Sequence, residues 1–395
     1  MALNPHTTAQ PIYCDYHATT PVDPRVLEAM LPYFTDRFGN AASRNHAFGW
    51  AASQAVDVGR QQVASAINAK HADIVFTSGA TESNNLALKG VASACAARGR
   101  HIVTVVTEHH SVLDTCKWLE ADGCRVTRLP VGRDGLVDLD AVRAALTDDT
   151  VLVSVMAANN EIGVVQPIAG IGALAHERGI LVHTDASQAI GKIALDVETL
   201  PVDLVSFTAH KTYGPKGIGA LWVRKKAAGM ALDAQMHGGG HERGMRSGTL
   251  NVPGIVGFGK ACELARQELA SEATRLSALR DHLLEGLRAR IPGMVVNGSL
   301  AHRLPNNLNV SFPGIESESL AMAMDDVAVS SGSACATSKA APSHVLTALG
   351  LEDELAYASL RFGLGRWTTA EEVDYIIEKT ATVIAKLREV RAALG

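Results

Sequence analysis

The sequence lacks the features that mark nucleic-acid-binding, membrane or secreted proteins. Its 36 Lys and Arg residues are outnumbered by 41 Asp and Glu residues, the net charge is −5 and no basic block occurs, so we expect no nucleic-acid partner. No apolar run approaches the roughly 18 residues needed to span a bilayer. The first residues, 1–5, show neither the basic start nor the apolar core of a signal peptide. These absences favour a soluble protein of the cytoplasm that binds no membrane.

Cysteines are few and scattered, without a C-x-x-C pair. This spacing argues against a disulfide framework or a zinc finger and agrees with a reducing compartment. A lone thiol is most often a small buried core residue, and we expect that role for five of the six. Those five are Cys14, Cys95, Cys116, Cys124 and Cys262.

Length and composition predict a globular protein of more than one domain. Hydrophobic residues make up 47% and charged residues 19% of the 395 positions, which is near the globular average. At about 150 residues per domain, this length suggests two or three domains, or a large domain with a smaller one.

The middle of the chain alternates short apolar runs with helical patterns. Nearly continuous apolar strands are typical of a parallel sheet covered by helices on both faces. We therefore predict an α/β doubly wound core, in which ligands bind at the carboxyl ends of the strands. The predicted strands are 74–77, 102–106, 151–156, 180–183 and 204–207, and the predicted helices of this part are 81–97 and 167–178.

The pattern changes after about residue 259. A long charged amphipathic helix is predicted over 263–290, followed by mixed strands such as 307–312 and a last helix over 369–394. We predict a large domain over 16–260 and a smaller α+β domain formed by 1–15 and 261–395.

Polar residues follow several of the predicted strands, where they would converge on one crevice. A single residue of this kind is usually a loop residue or a helix cap, but five such positions at one sheet edge favour a binding site. The segments concerned are 78–81, 108–110, 159–161, Asp185 with Gln188, and 210–211.

The turn at 78–81, between a strand and a helix, offers backbone N–H groups and hydroxyls to a phosphate. It is too short for a Walker A loop and lacks the G-x-G-x-x-G spacing of dinucleotide sites, so a smaller phosphorylated cofactor fits better. Asp185 at one strand end and Lys211 near another suit pyridoxal phosphate, because the lysine forms a Schiff base and the carboxylate keeps the pyridine nitrogen protonated.

Six segments resemble the cysteine desulfurases of the NifS/IscS type within the class V aminotransferases. The likeness runs from Asp15 to about Asp374. The segments are 77–85 (TSGATESNN), 159–163 (NNEIG), 210–217 (HKTYGPKG), 237–244 (HGGGHERG), 246–250 (RSGTL) and 331–335 (SGSAC). The resemblance implies a fold-type I pyridoxal-phosphate enzyme with a large, mainly parallel domain and a smaller α+β domain. It further implies a homodimer that moves sulfur from L-cysteine to an enzyme thiol and releases L-alanine.

The same resemblance implies roles for individual residues. Lys211 would form the Schiff base, Asp185 would pair with the pyridine nitrogen, Gln188 would bond the ring hydroxyl, and His109 would stack on the ring and assist proton transfer. Further cofactor contacts are implied for Ala80, Thr81, Asn160, Thr208, His210 and, from the partner subunit, Thr249. Substrate contacts are implied for Asn40, Asn160 and Arg361, the last binding the carboxylate through its planar fork.

The sixth cysteine, Cys335, is the predicted nucleophile. Its neighbours over 330–339 are small and polar, which favours a mobile loop. As a thiolate, it would attack the substrate sulfur and carry the persulfide to an acceptor. That acceptor would be an iron–sulfur scaffold or a tRNA-thiolation protein. Cys335 is also a candidate for transient ligation of an iron–sulfur cluster shared with a scaffold.

Two segments depart from the family pattern, and three other functions compete. Residues 340–343 (AAPS) and 39–42 (GNAA) differ from the usual Leu-Glu-Pro-Ser and Gly-Asn-Pro. Neither difference removes a group that does chemistry, and the first concerns loop mobility or acceptor docking. The competing functions are an aminotransferase, a selenocysteine lyase and a non-catalytic sulfur carrier. A metal site at His237 and His241 is disfavoured, because three intervening glycines oppose the helix that would align them.

Overall fold

The computed structural model describes residues 11–225, 232–315, 317–331 and 341–394. The strands of these residues are β1 (Ile12–Tyr13), β2 (Ile74–Thr77), β3 (His101–Val105), β4 (Arg125–Leu129), β5 (Thr150–Ser154), β6 (Leu181–Asp185), β7 (Leu204–Thr208), β8 (Gly219–Val223), β9 (Val295–Val296), β10 (Asn307–Ser311), β11 (Val327–Ala328), β12 (Ser330–Ser331) and β13 (Ser359–Gly363).

The helices of the same residues range from one turn to more than ten. They are α1 (Pro24–Met30), α2 (Ala47–Ser65), α3 (Ala80–Ala94), α4 (His110–Ala121), α5 (Leu139–Ala145), α6 (Ile168–His176), α7 (Val252–Arg290), α8 (Ser317–Ala323), α9 (His344–Ala348), α10 (Asp353–Tyr357) and α11 (Ala370–Leu394).

The larger sheet has the strand order β2-β8-β7-β6-β5-β3-β4. The run from β7 to β4 is parallel, whereas β8 is antiparallel to both β7 and β2. β2 therefore points the same way as the parallel strands, and its carboxyl end lies at the same edge. The predicted α/β fold with a mainly parallel sheet is confirmed.

Helices cover both faces of this sheet. Successive strand residues point to opposite sides, so each strand packs against helices on both faces. On β3, Val103 and Val105 join a hydrophobic cluster with residues of α2, α6 and the first half of α7. Ile102, between them, joins a second cluster with residues of α3 and α4. The strands are thus buried on both faces, which explains their continuous apolar sequences.

The second sheet is antiparallel, in the order β12-β13-β10-β9. It packs in a third hydrophobic cluster with Leu283 and its neighbours in the second half of α7, residues of α11, and Cys14 next to β1. α7 contributes Phe258 to the cluster of the large sheet and Leu283 to that of the small one. The domain boundary near residue 260 stays a prediction.

α7 begins earlier than the sequence pattern predicted. The helix starts at Val252 rather than at residue 263, because the Asn251 side chain accepts a hydrogen bond from Gly254 N–H and Pro253 occupies the first turn. Both are favourable helix-start signals. The extra turns are apolar, so the charged pattern used for prediction marks only the later part of the helix.

Within the described ranges, none of the helices combines the length and the apolar character needed to cross a membrane.

Candidate active site

A cavity of about 550 Å³ lies at the carboxyl edge of the large sheet. Its wall includes residues at or just beyond the ends of β2, β3, β5, β6 and β7, as the doubly wound fold predicts. Nine predicted site residues line it, namely Ala80, Thr81, His109, Asn160, Asp185, Gln188, Thr208, His210 and Lys211. The structure therefore brings together side chains that are up to 131 positions apart in sequence, from Ala80 to Lys211.

Lys211 ends a single 3-10 turn, Ala209–Lys211, that directly follows β7. Burial lowers the pKa of its amine to about 8, with Arg361 lowering it further and the carboxylates of Asp185 and Asp15 opposing the shift. An amine with this pKa is neutral in a larger fraction of molecules near pH 7 than an ordinary lysine. Lys211 is therefore suited to act as a nucleophile or a base.

Asp185 is the last residue of β6 and is 5% exposed. Its Oδ2 accepts a hydrogen bond from Asn84 Nδ2 at 2.7 Å, and its Oδ1 accepts one from Ser187 N–H at 2.9 Å. These two bonds fix the carboxylate on the cavity wall, where it can pair with a protonated ring nitrogen.

His109 caps the N-terminus of α4, and its Nδ1 accepts a hydrogen bond from Ser111 N–H at 3.1 Å. The Ser111 hydroxyl lies 2.9 Å from the same Nδ1 and accepts a hydrogen bond from Asn84, which also bonds Asp185. Burial is the main cause that lowers the pKa of His109. The neutral ring therefore carries its proton on Nε2, because Nδ1 is an acceptor.

The start of α3 forms an anion-binding corner. Gly79 is its N-cap residue and makes no side-chain capping bond, and Ala80 and Thr81 of the first turn line the cavity with Thr208 and His210. Free N–H groups and the helix dipole attract phosphate at such a position. Burial lowers the pKa of His210 to about 4, so this side chain is a neutral hydrogen-bonding group.

Gln188 lies beyond β6 with its amide enclosed by protein. Its Nε2 donates a hydrogen bond to His17 O at 2.9 Å, and its Oε1 accepts one from Lys192 Nζ at 2.8 Å. The same oxygen lies 2.9 Å from His17 Nδ1. One N–H of the amide remains for a ligand in the cavity that Gln188 lines.

Arg361, on β13, is 9% exposed. Its Nη1 donates to Asn160 O at 2.8 Å, and its Nη2 donates to Asp15 Oδ1 at 2.6 Å and to Ser330 Oγ at 2.7 Å. Within the described residues, its buried Nε has no hydrogen-bond partner. A buried donor of this kind indicates a further acceptor, such as a ligand carboxylate.

Two predicted contacts lie away from the cavity, and the predicted nucleophile cannot be placed. Asn40 and Thr249 are exposed and are not part of the cavity wall of this chain; Arg361 is not part of that wall either, although it donates a hydrogen bond to Asn160, which is. Cys335 lies in 332–340, outside the described residues. The five other cysteines are all buried; burial raises the pKa of Cys116 to about 12, which keeps that thiol protonated and unreactive.

The residues present fit pyridoxal phosphate. The cavity offers an amine with a lowered pKa, a buried carboxylate, an uncapped helix N-terminus and a neutral imidazole, which match the aldehyde, the ring nitrogen, the phosphate and the ring face. Over the part of the chain that the structure describes, no cluster of three or more His, Cys, Asp or Glu residues could hold a metal ion.

Four supporting residues escaped the sequence analysis. Asn84 was inside a recognised motif, and its place on the buried face of α3 could have indicated a partner for Asp185. Asp15 and His17 lie in an N-terminal segment without periodicity, and Lys192 lies in a loop. No local sequence signal distinguishes these three from ordinary surface residues.

The chain is similar to known proteins over nearly its whole length. The profile of the family described as Aminotransferase class-V matches residues 12–376. The chain is 60% identical over 379 residues to "Cysteine desulfurase IscS" of Anaeromyxobacter dehalogenans, which covers 96% of this chain and 94% of that protein. It is 58% identical over 380 residues to the protein of the same name from Methylococcus capsulatus, with the same coverage of 96% and 94%.

The fold is also similar to a solved structure described as "NIFS-LIKE PROTEIN". The TM-score is 0.89 at 40% sequence identity, and the match covers 96% of this chain and 100% of that chain.

Proposed function

The chain belongs to the class-V aminotransferase family, among its cysteine desulfurases of the IscS type, and on this premise we propose how its residues remove sulfur from L-cysteine. Pyridoxal phosphate would be held in the cavity by Lys211, Asp185 and the N-terminus of α3. The products would be L-alanine and a persulfide on Cys335. The observation that carries the proposal is the convergence of Lys211, Asp185 and His109 on one cavity.

When bound, the cofactor withdraws electrons from the Cα atom of the amino acid. Lys211 would hold it as a Schiff base and, once released, would take the Cα proton on Nζ, which the lowered pKa of this amine favours. Asp185 would keep the ring nitrogen protonated, since its own charge is stabilised by Asn84 and Ser187. His109 would stack on the ring and assist proton transfer through Nε2, because its Nδ1 is occupied by Ser111.

Arg361 would bind the substrate carboxylate, with Asn160 beside it. The guanidinium is anchored through Nη1 to the Asn160 carbonyl, which keeps the two residues side by side. Its unpartnered Nε–H is available to a carboxylate oxygen. This would fix the position of the substrate carboxylate and with it the orientation of the Cα atom.

Cys335 would perform the sulfur transfer. Its thiolate attacks the sulfur of the substrate, an S–S bond forms, and the Cβ–S bond breaks with its electron pair remaining on the carbon skeleton. Protonation of that carbon yields alanine, so one thiol and L-cysteine become one persulfide and L-alanine. This role is supported by the SGSAC motif of 331–335 and by the full-length similarity to cysteine desulfurases.

A homodimer would complete the site with Thr249. Large apolar side chains are exposed near the N-terminal end of the large domain, including Phe34, Phe38, Phe48 and Trp50. Clustered exposed apolar surface is typical of subunit interfaces. A surface depression lined by 41–44, 239–242 and Leu250 places the neighbours of Asn40 and Thr249 side by side. Both residues would then reach the cavity of the partner, and a monomer by light scattering would contradict this.

The sulfur acceptor would be an iron–sulfur scaffold or a tRNA-thiolation protein in the cytoplasm, with Cys335 as a transient cluster ligand. These assignments are supported by the similarity to proteins named IscS.

The experiment is a comparison of Cys335→Ala with the wild type and with Cys124→Ala, a buried-cysteine control. The Cys335 variant should keep the visible absorption of the bound cofactor but release neither sulfide nor alanine in a reaction with L-cysteine and a thiol reductant. The Cys124 variant should retain activity. Undiminished turnover in Cys335→Ala would exclude this nucleophile, and a wild-type protein that cannot bind pyridoxal phosphate would exclude the whole proposal.

A further inference from the structure

A second lysine, Lys192, lies next to the cavity and has no role in the proposed chemistry. It is partly buried four residues after Gln188, and its Nζ donates a hydrogen bond of 2.8 Å to Gln188 Oε1. Lys192 also contributes to a small internal cavity together with Lys211. Burying an amine is unfavourable, and the hydrogen bond to Gln188 offsets part of this cost.

The hydrogen bond decides which way the Gln188 amide faces. With Oε1 toward Lys192, Nε2 donates to the backbone carbonyl of His17. A flipped amide would place its NH₂ group against the lysine Nζ donor and its oxygen against that carbonyl. Both contacts would then be repulsive, so the network fixes a single orientation.

His17 adds to the same constraint. Burial lowers the pKa of His17 well below its usual value, so its ring is neutral and carries one proton. Nδ1 lies 2.9 Å from Gln188 Oε1, whereas Nε2 lies 3.3 Å from the Asn306 carbonyl. In the tautomer with its proton on Nδ1, His17 donates to the same Oε1 that accepts from Lys192.

We propose that Lys192 is a positioning residue that holds the Gln188 amide with its remaining N–H toward the ring oxygen of the cofactor. The proposal rests on the proposed function, in which Gln188 contacts that oxygen. An N–H donated to this oxygen stabilises its negative charge and lowers the proton affinity of the Schiff-base nitrogen beside it. Without Lys192, the amide can present its oxygen instead and lose this effect.

The electrostatic surroundings of Lys192 are mainly cationic. Burial, with Lys211 and Arg361, lowers the pKa of Lys192 to about 7. His17 faces it across Gln188, and Tyr213, Glu272 and Arg366 line the same small cavity. The protonated amine has no acceptor and excludes the flipped amide, whereas in both protonation states the His17 carbonyl opposes the flip.

The test is a pH titration of the visible absorption of the cofactor–Lys211 Schiff base in the substrate-free holoprotein. Lys192→Met should move the midpoint upward by about one pH unit, and Lys192→Arg, which keeps a donor and the charge, should stay close to the wild type. Lys260→Met, which removes a lysine that pairs with Glu263 on α7, should leave the midpoint unchanged.

Gln188→Leu shows whether the effect passes through the amide. If Lys192 acts by orienting Gln188, Lys192→Met should shift the midpoint of the Gln188→Leu protein by less than half of its shift in the wild type. An equal shift in both backgrounds would mean that only charge matters and would overturn the proposal, as would no shift at all. Should Lys192→Met not fold, as judged by circular dichroism, Lys192→Gln takes its place in the comparison. A wild type without the absorption band refutes the proposed function rather than this inference.

Discussion

Asp15 already accepts a hydrogen bond from Arg361, whose guanidinium we assign to the substrate carboxylate. Asp15→Asn should therefore strengthen substrate binding. A planar guanidinium offers two edges for a bidentate carboxylate, Nε with Nη2 and Nη1 with Nη2. Both N–H groups of Arg361 Nη2 are already donated, to Asp15 Oδ1 at 2.6 Å and to Ser330 Oγ at 2.7 Å. A carboxylate that binds either edge must therefore displace Asp15 or Ser330.

The magnitude follows from the bond that the substrate replaces. A hydrogen bond that involves a charged group contributes about 1.5–3 kcal/mol, and we place the ion pair of Arg361 with Asp15 at the upper end of that range. Asparagine keeps an acceptor oxygen but no charge, so the displaced bond weakens by about 1.4 kcal/mol, which corresponds to a tenfold change in affinity. Relief of repulsion between two carboxylates acts in the same direction. Ser330 and the Asn160 carbonyl still hold Arg361.

The assay measures two constants, the Kd of L-alanine for the holoprotein by equilibrium binding and the KM for L-cysteine in turnover. Asp15→Asn should lower both constants by about tenfold, Arg361→Gln should raise them, and Asp57→Asn, at an exposed position of α2, should change neither. A rise in both constants for Asp15→Asn would show that the carboxylate mainly orients Arg361, and the exchange argument would be refuted.

Two further predictions concern stability. Arg60 and Glu242 form a buried ion pair with N–O distances of 2.6 Å. Arg60→Met should therefore lower the free energy of unfolding in urea by about 3–5 kcal/mol, whereas Arg288→Met, at an exposed pair, should lower it by under about 1 kcal/mol. Equal effects would contradict this prediction. Burial raises the pKa of Glu108 well above its usual value, so the folded state loses stability as pH rises above about 4.5, where the unfolded carboxyl ionises. Glu108→Gln should therefore exceed the wild type in stability increasingly from pH 5 to 8, unlike exposed Glu28→Gln, and a pH-independent difference would contradict it.

The strands and the cavity edge were predictable because their signals are local. The apolar run that opens β6 is followed within the same strand by Asp185, and the turn at 78–81 connects a strand to a helix, so both could be placed at the carboxyl edge of a parallel sheet. The antiparallel insertion of β8 between β2 and β7 was not predictable. The sequence of an apolar strand that is buried on both faces does not indicate whether its neighbours run parallel or antiparallel to it.

The supporting residues could not be predicted, because their contacts join distant segments. His17 bonds Gln188 across 171 positions, and Asp15 bonds Arg361 across 346. Neither lies in a periodic segment, and their roles depend on β1 pairing with β11, which brings the N-terminal segment beside the second sheet. Only the folded chain defines these partners.

The distribution of charge around the cavity explains why so many of its groups have lowered pKa values. Burial lowers the pKa of both Lys211 and Lys192, Arg361 lowers both further, and Lys211 adds to the shift of Lys192. A site of this kind accepts anions readily, since each bound negative charge relieves repulsion among the cations. The phosphate and carboxylate that we assign to the cavity both supply such charge, whereas Asp15 and Asp185 offset only part of it in the chain alone. Binding of these anions should therefore raise the pKa of Lys192 toward its ordinary value, which would strengthen its hydrogen bond to Gln188 as the site fills.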